Sequence, residues 1–377
     1  MRTEICDRLG IEFPIFAFSH CRDVVAAVTN AGGFGVLGAL AFEPERLAIE
    51  LDWIDEHVGD RSYGVDFAMP QVYVGKGGGE DATPEALAAM IPDEYRDFVK
   101  QTLDDAGIPP RPDDLGPLVM KAAGLNVDAE GPDQVELCLT HPNVKMIVNA
   151  LGPPPPYVIQ RAHECGVLVG ALAGLPVHAE RQVAMGVDVV VAQGTEAGGH
   201  CGEISTMVLI PQIVDAVGDQ VPVLAAGGIA DGRQMAAAMA LGAQGAWCGS
   251  IWLLTEEADM APEVTENLLA AGSRDFIRSR SMTGKPARQL RTAWTEAWEQ
   301  PDAPTPLPMP LQGILYAEAA SRFTRVHAKE FGGSPAGQIL GSVDKVKPAR
   351  QVVLDMVEGW IDTMAGLNAL AERAEQG

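Results

Sequence analysis

Short apolar runs alternate with amphipathic segments along most of the first 250 residues, with about 20–30 residues from one run to the next. An apolar run of about 4–8 residues bounded by turn residues reads as a strand buried on both faces. A segment with apolar positions three and four apart reads as a helix that covers such strands. The runs Phe13–Phe18, Phe34–Leu37, Tyr63–Phe67, Met146–Asn149, Val167–Ala171, Val187–Ala192, Val221–Ala226 and Gly245–Cys248 are the predicted strands. Asp23–Asn30, Pro44–His57, Pro156–Cys165, Pro176–Met185 and Gly232–Ala240 are predicted helices between them. Eight strand slots suit an α/β fold of the (β/α)8 TIM barrel type, although an open doubly wound sheet can be written from the same alternation.

Two stretches break the rhythm. Residues 70–130 hold the glycine-rich run Gly75–Glu80, the helix-like Pro84–Ala106 and the proline-rich Pro109–Pro117, and read as an insertion after the third strand. Residues 256–345 follow the last strand and read as a C-terminal extension of helices and loops. The expected division is a barrel over 1–255 and 336–377 carrying the 70–130 insertion, with 256–335 as a lid on the substrate side. In a barrel, both additions sit over the catalytic face, because the loops that follow the strands build that face.

Composition narrows the function. With 51 acidic against 27 basic residues the net charge is -24, which repels a polyanion and excludes nucleic acid as a partner. No apolar run reaches the ~18 residues of a membrane span, and Met1-Arg-Thr-Glu-Ile-Cys6 lacks the basic-then-apolar pattern of a signal peptide, so the chain reads as a cytoplasmic globular protein. The six cysteines show no CxxC spacing, which fits reduced thiols and no metal site. GxSxG, HExxH and Walker-type motifs are missing, so hydrolase, zinc protease and P-loop readings lose their strongest support. No GxGxxG follows the first strand, where Phe18-Ser-His-Cys-Arg22 stands, which argues against a dinucleotide-binding domain.

Three predicted strands in succession end in glycine. After Val187–Ala192 comes Gln193-Gly-Thr-Glu-Ala-Gly-Gly-His-Cys-Gly202, after Val221–Ala226 comes Gly227-Gly228, and after Gly245–Cys248 comes Gly249-Ser250. Backbone N–H groups at the two later junctions, on neighbouring strands, would cradle a phosphate. His200, framed by glycines, is the candidate acid–base residue, since an imidazole exchanges a proton near neutral pH. Glu196 and Glu203 flank it, either to orient the imidazole or, the reading preferred, as solvated loop carboxylates. A basic cluster, Arg274, Arg278, Arg280, Lys285, Arg288 and Arg291, stands out in an acidic chain, as a structural or a ligand-gripping feature.

Together, Glu196-Ala-Gly-Gly-His-Cys-Gly202, Ala225–Gly232, Leu241–Ser250, Asn30–Gly38, Ser281–Arg288 and Ala336–Gln338 resemble the nitronate monooxygenase (formerly 2-nitropropane dioxygenase) family. The resemblance covers most of the chain apart from the 70–130 insertion. It implies an FMN-dependent barrel in which Gly227, Gly228, Gly249 and Ser250 hold the FMN phosphate and Gln193 and Ala197, Gly198 and Gly199 line the flavin. His200 would be the catalytic base or substrate-orienting residue acting on a nitronate, with oxygen as co-substrate. Phe18, Ser19 and His20 fall where the family has Ala-Pro-Met against the flavin, which places Phe18 and Ser19 at the cofactor and adds His20 as a second catalytic imidazole. Asp66, also expected at the cofactor, stands where an Asn is usual. The same fold resembles flavin-dependent reductases that use NAD(P)H on quinones or on enoyl and coenzyme A thioesters, and a non-enzymatic flavin-binding protein is a third alternative. The substrate is a small molecule on each enzymatic reading, and monomer and homodimer both remain open.

Overall fold

The computed structural model describes residues 1–69, 84–112 and 131–376. Gly75–Glu80 and most of Pro109–Pro117 lie outside them. After a short helix α1 (Glu4–Leu9) the chain alternates β1 (Ile15–Ser19), α2 (Arg22–Asn30), β2 (Phe34–Gly38), α3 (Pro44–Val58) and β3 (Tyr63–Phe67). The insertion supplies α4 (Pro84–Ala89) and α5 (Asp93–Asp105), where a single helix was expected; Ile91 and Pro92 fall between the two. The alternation resumes with α6 (Gly131–Thr140), β4 (Val144–Asn149), α7 (Pro156–Glu164), β5 (Leu168–Ala173), α8 (Pro176–Ala184) and β6 (Val189–Gln193). A two-residue strand β7 (Gly199–His200) precedes α9 (Thr206–Val217), β8 (Val223–Ala226), α10 (Gly232–Ala240) and β9 (Gly245–Cys248).

Strands β1 to β6, β8 and β9 close into one parallel barrel, with β1 pairing β9 through Ile15↔Ala246. Each of the eight is a predicted strand, and the open-sheet alternative falls away. Side chains alternate between the two buried faces of these strands. Phe16, Val36, Met146, Val148, Val191, Leu224 and Trp247 fill the interior, whereas Ile15, Leu37, Val65, Ile147, Val190 and Ala225 lie under the helices. By the same alternation Asp66 and Gln193 are the polar side chains of the described inner wall, each at the C-terminal end of its strand. Helix α1 plugs the opposite end with Ile5, Cys6 and Leu9, and is tied down where Thr3 Oγ1 donates to the Gln244 carbonyl at 2.7 Å.

Beyond β9 come α11 (Pro262–Ala270), β10 (Phe276–Ser279), β11 (Ala287–Leu290), α12 (Ala293–Trp298), α13 (Leu311–Phe323) and α14 (Ala349–Gln376). The expectation of helices and loops alone is corrected here. β10 and β11 form an antiparallel pair, and β11 also pairs with β7 through Ala287↔His200 and Arg288↔Gly199. The insertion and the extension are not separate decorations either. Leu87, Val99 and Leu103 share a second core with Trp294, Trp298, Leu315 and Phe323, locked at its edge by Arg96–Glu318 at 2.6 Å and Arg322–Asp104 at 2.9 Å. Helix α14 returns to the barrel against α10 and α2, crossing so closely that a Cβ on Gly232 would lie 2.0 Å from the Trp360 nitrogen.

Candidate active site in the barrel mouth

The segment after β6 is laced into its surroundings, so the glycines that frame His200 do not make a loose loop. Thr206, at the start of α9, donates from its backbone N–H (2.9 Å) and its hydroxyl (2.8 Å) to the Glu196 carboxylate. Glu196 is therefore a cap for α9, not a solvated loop carboxylate. The Gln338 N–H donates to the Glu196 carbonyl at 3.0 Å and the Gly337 N–H to Ser250 Oγ at 2.7 Å, which carries the 336–338 segment across the ends of β6 and β9. Gly198 makes this crossing feasible: a Cβ there would lie 2.8 Å from Ala336 backbone atoms.

Arg288 is the tie beneath. Its Nε donates to the Thr195 carbonyl at 2.8 Å and one terminal nitrogen to the Phe276 carbonyl at 2.6 Å, joining the β6 loop to β10 from a 7% exposed position. Arg288→Met is expected to leave both carbonyls short of a donor and to lower unfolding free energy by about 2–4 kcal/mol. Urea denaturation of the two proteins measures the loss, and a change below ~0.5 kcal/mol would assign the guanidinium no structural role. The basic cluster thus divides. Arg288, Arg280 (donating to the Gly284 carbonyl at 2.8 Å), Arg291 (3.5 Å from Glu299) and Arg278 (3.7 Å from Glu203) face protein partners, whereas Lys285 acts on His200 through its charge and Arg274 is exposed.

The half-buried His200 ring lies 2.8 Å from the Thr283 hydroxyl through Nε2, and the same hydroxyl accepts the Lys285 backbone N–H at 3.3 Å. Burial, and then the Lys285 ammonium, pushes the imidazole down to about 4. His200 is therefore neutral at pH 7. Burial pushes the neighbouring Cys201 thiol up, so it remains protonated, donating to the Thr195 carbonyl. Thr283 was missed as a site residue by sequence reasoning, although Ser281–Arg288 was a legible segment, and Lys285 was legible only as a member of the basic cluster.

His20 follows β1, which β9 and β8 separate from β6, the strand whose following segment carries His200. The His20 Nδ1 lies 3.0 Å from the Gly38 carbonyl, an acceptor, so Nδ1 carries a proton and Nε2 is the ring nitrogen left for another partner. Gly38 exists to make that room: a Cβ would lie 2.5 Å from the ring. Phe18 packs edge-on to His20 and stacks on Trp247 at 6.5 Å, and Ser19 Oγ accepts the Cys21 N–H at 3.1 Å. Asp66 pairs with Gly38 across β2 and β3.

At the junctions after β8 and β9, Gly227 and Gly228 have φ of 100° and 71°, and among the described residues the N–H groups of Gly228 and Ser250 have no acceptor. A Cβ on Gly228 would come no nearer than 3.5 Å to any neighbour and one on Gly249 no nearer than 3.7 Å, which leaves a cradle open beside free donors. The Gln193 amide likewise has no hydrogen-bond partner among the described residues. These positions fit a phosphorylated planar cofactor.

A closed parallel barrel with open glycine junctions and a neutral histidine at its C-terminal mouth defines an enzyme of the TIM-barrel class. The sequence pattern of one family, described as nitronate monooxygenase, matches residues 3–359, and the chain belongs to that family of flavin-dependent oxidoreductases. It is 53% identical, over 99% of its length and 100% of the relative's, to a Mycobacterium tuberculosis protein named "Putative monooxygenase Rv1533". It is 29% identical, over 79% of its length and 69% of the relative's, to a hydroxy-methyl-oxo-octahydro-indene-carboxyl-CoA dehydrogenase of the same organism. A nitroalkane oxidase from Streptomyces ansochromogenes superposes over 97% of this chain and 100% of its own with a TM-score of 0.79 at 24% identity, a likeness of fold. Among the described residues no helix is long and apolar enough to cross a membrane.

Proposed function

We propose that the barrel mouth binds FMN and that the protein oxidises alkyl nitronates with O2 in the cytoplasm. One observation carries the reading: a neutral imidazole, fixed by Thr283 and within reach of the Lys285 charge, stands at the glycine-ended mouth of a barrel whose described lumen is apolar apart from Asp66 and Gln193. A neutral His200 can take a proton from the carbon beside a nitro group or orient the resulting anion, and Lys285 draws that anion in. FMN, when bound, supplies the electron-accepting chemistry. Gly227, Gly228, Gly249 and Ser250 would hold its phosphate, Gln193 and Ala197 to Gly199 would line one side, and Phe18, Ser19 and Asp66 the other. His20, through its Nε2, would be the second group to meet the substrate. The barrel of 1–255 and 336–377 would bind the cofactor, with 256–335 covering the substrate.

A second reading, an NAD(P)H-dependent reductase of an enoyl or coenzyme A thioester or a quinone, is favoured by the similarity to a carboxyl-CoA dehydrogenase. Anaerobic stopped-flow mixing of the yellow protein with ethylnitronate, NADH and NADPH separates the two. Rapid bleaching by ethylnitronate, with the nicotinamides slow, is the expected result. Bleaching by NADH or NADPH alone would replace the first reading by the second.

A further inference from the structure

The inner wall of the barrel sets an acid where no described residue compensates its charge. Asp66 is 4% exposed, points with Gly64 into a lumen of Phe34, Met146 and Val148, and makes no ion pair among the described residues. The Ala150 backbone N–H beside it bonds the Phe67 carbonyl at 2.8 Å, and among the described residues no side chain donates to the carboxyl. An ionised carboxylate in such a place loses its hydration without gaining a cation, whereas the neutral acid loses little and keeps one O–H to donate.

We propose that Asp66 is a carboxylic acid in the folded protein and that its O–H is the hydrogen-bond donor which the inner wall offers to an acceptor atom on the edge of the planar cofactor in the barrel mouth. The second half rests on the FMN reading; the first does not. Burial raises this carboxyl well above the usual carboxylate range, and the Ala150 N–H opposes the shift without cancelling it. Among the described residues the surrounding elements supply no charge that reverses this. Strand β2 and the turn Ala39–Ala41 carry no ionisable side chain, Lys145 on β4 is exposed on the outer face, and Tyr63 sits at the far end of β3. His20, across Gly38, is the nearest titratable group from β1, and its ring is exposed to solvent. A protonated carboxyl has the shape and the donor of the Asn amide that the family resemblance leads one to expect here. Gln193, the other polar side chain of the described inner wall, supplies an amide from β6.

Wild type, Asp66→Asn and Asp66→Leu decide the matter. In the infrared spectrum of the purified protein at pH 8, a protonated-carboxyl carbonyl band should be present in wild type and lost in Asp66→Asn. The melting temperature supplies an independent reading. A carboxyl raised in the folded state holds its proton more tightly there than in the unfolded chain, so its contribution weakens as pH rises above the unfolded value of ~3.9. Asp66→Asn should therefore melt above wild type, with a gap that widens from pH 5 to pH 8. After removal of flavin, FMN titrated by fluorescence quenching should bind Asp66→Asn within about threefold of wild type and Asp66→Leu about tenfold more weakly. A carboxyl band common to all three proteins, or a melting gap that is flat with pH, would overturn the protonated state. Equal affinity of Asp66→Leu would overturn the donor role. Failure of FMN to bind wild type would instead overturn the flavin reading, with the infrared and melting results still deciding the protonation of Asp66.

Discussion

His200→Asn is expected to keep a full complement of flavin while kcat/KM on ethylnitronate falls by about 10²–10⁴-fold, the usual loss when a positioned acid–base group is removed. The cofactor should stay because His200 is held from its Thr283 side, at 2.8 Å, and not through the glycine junctions after β8 and β9. Asn retains a group that can bond the Thr283 hydroxyl, so the β7–β11 pairing at Ala287↔His200 survives and the loss reports chemistry. The pH profile carries the same signature. With its imidazole pushed down to about 4, His200 is unprotonated through the neutral range, so the acid limb of wild-type kcat/KM should fall near that value and not near the reference ~6.5. The sign for stability agrees. A histidine depressed in the folded state binds its proton more readily when unfolded, so stability is lost as pH drops from ~6.5 towards 4, and His200→Asn should flatten that slope. Near wild-type turnover in the variant would make His200 a structural residue of the small sheet.

Gly227→Val is expected to purify without flavin and to regain less than about a tenth of wild-type occupancy on adding FMN, a loss of at least ~1.4 kcal/mol in binding. Two independent features act against a side chain there. The backbone has φ of 100°, which a β-branched residue does not adopt without strain, and the new Cβ would lie 3.0 Å from Thr206 Oγ1 and 3.1 Å from the Ala197 nitrogen. Thr206 also clamps Glu196 and donates to the Gly227 carbonyl at 3.0 Å, so relief of the clash would disturb the cap of α9 and the His200 loop together. Absorbance near the flavin maxima per mole of protein measures occupancy, and circular dichroism checks that the barrel is intact. A yellow Gly227→Val protein would remove the phosphate from this junction.

Along the chain, what was legible is what is local. Strand and helix periods differ, so the eight barrel strands could be read from the run of residues alone, and with them the glycine-ended junctions and the framed His200. The nitronate monooxygenase resemblance rested on those same contiguous segments, and it holds for residues 3–359. The small sheet was not legible, because β7 is two residues long and its partner β11 begins 87 positions later, at Ala287, where four residues show no period strong enough to name. Nor could sequence reveal that the insertion after β3 and the extension after β9 bury Leu103 and Trp294 in one core, since each half reads as an amphipathic segment in search of a face.

The chemistry divides along the same line. Sequence alone determined which residues stand at strand ends, because alternation and glycine placement are properties of neighbours in the chain. Only the tertiary structure decided their state: whether Glu196 is solvated or caps α9, whether His200 is charged, and what surrounds Asp66. The reason is physical. Protonation and hydrogen bonding depend on burial and on charges that reach a group through space, and Thr283, Lys285 and Gly38 come to their partners by folding and not by proximity along the chain.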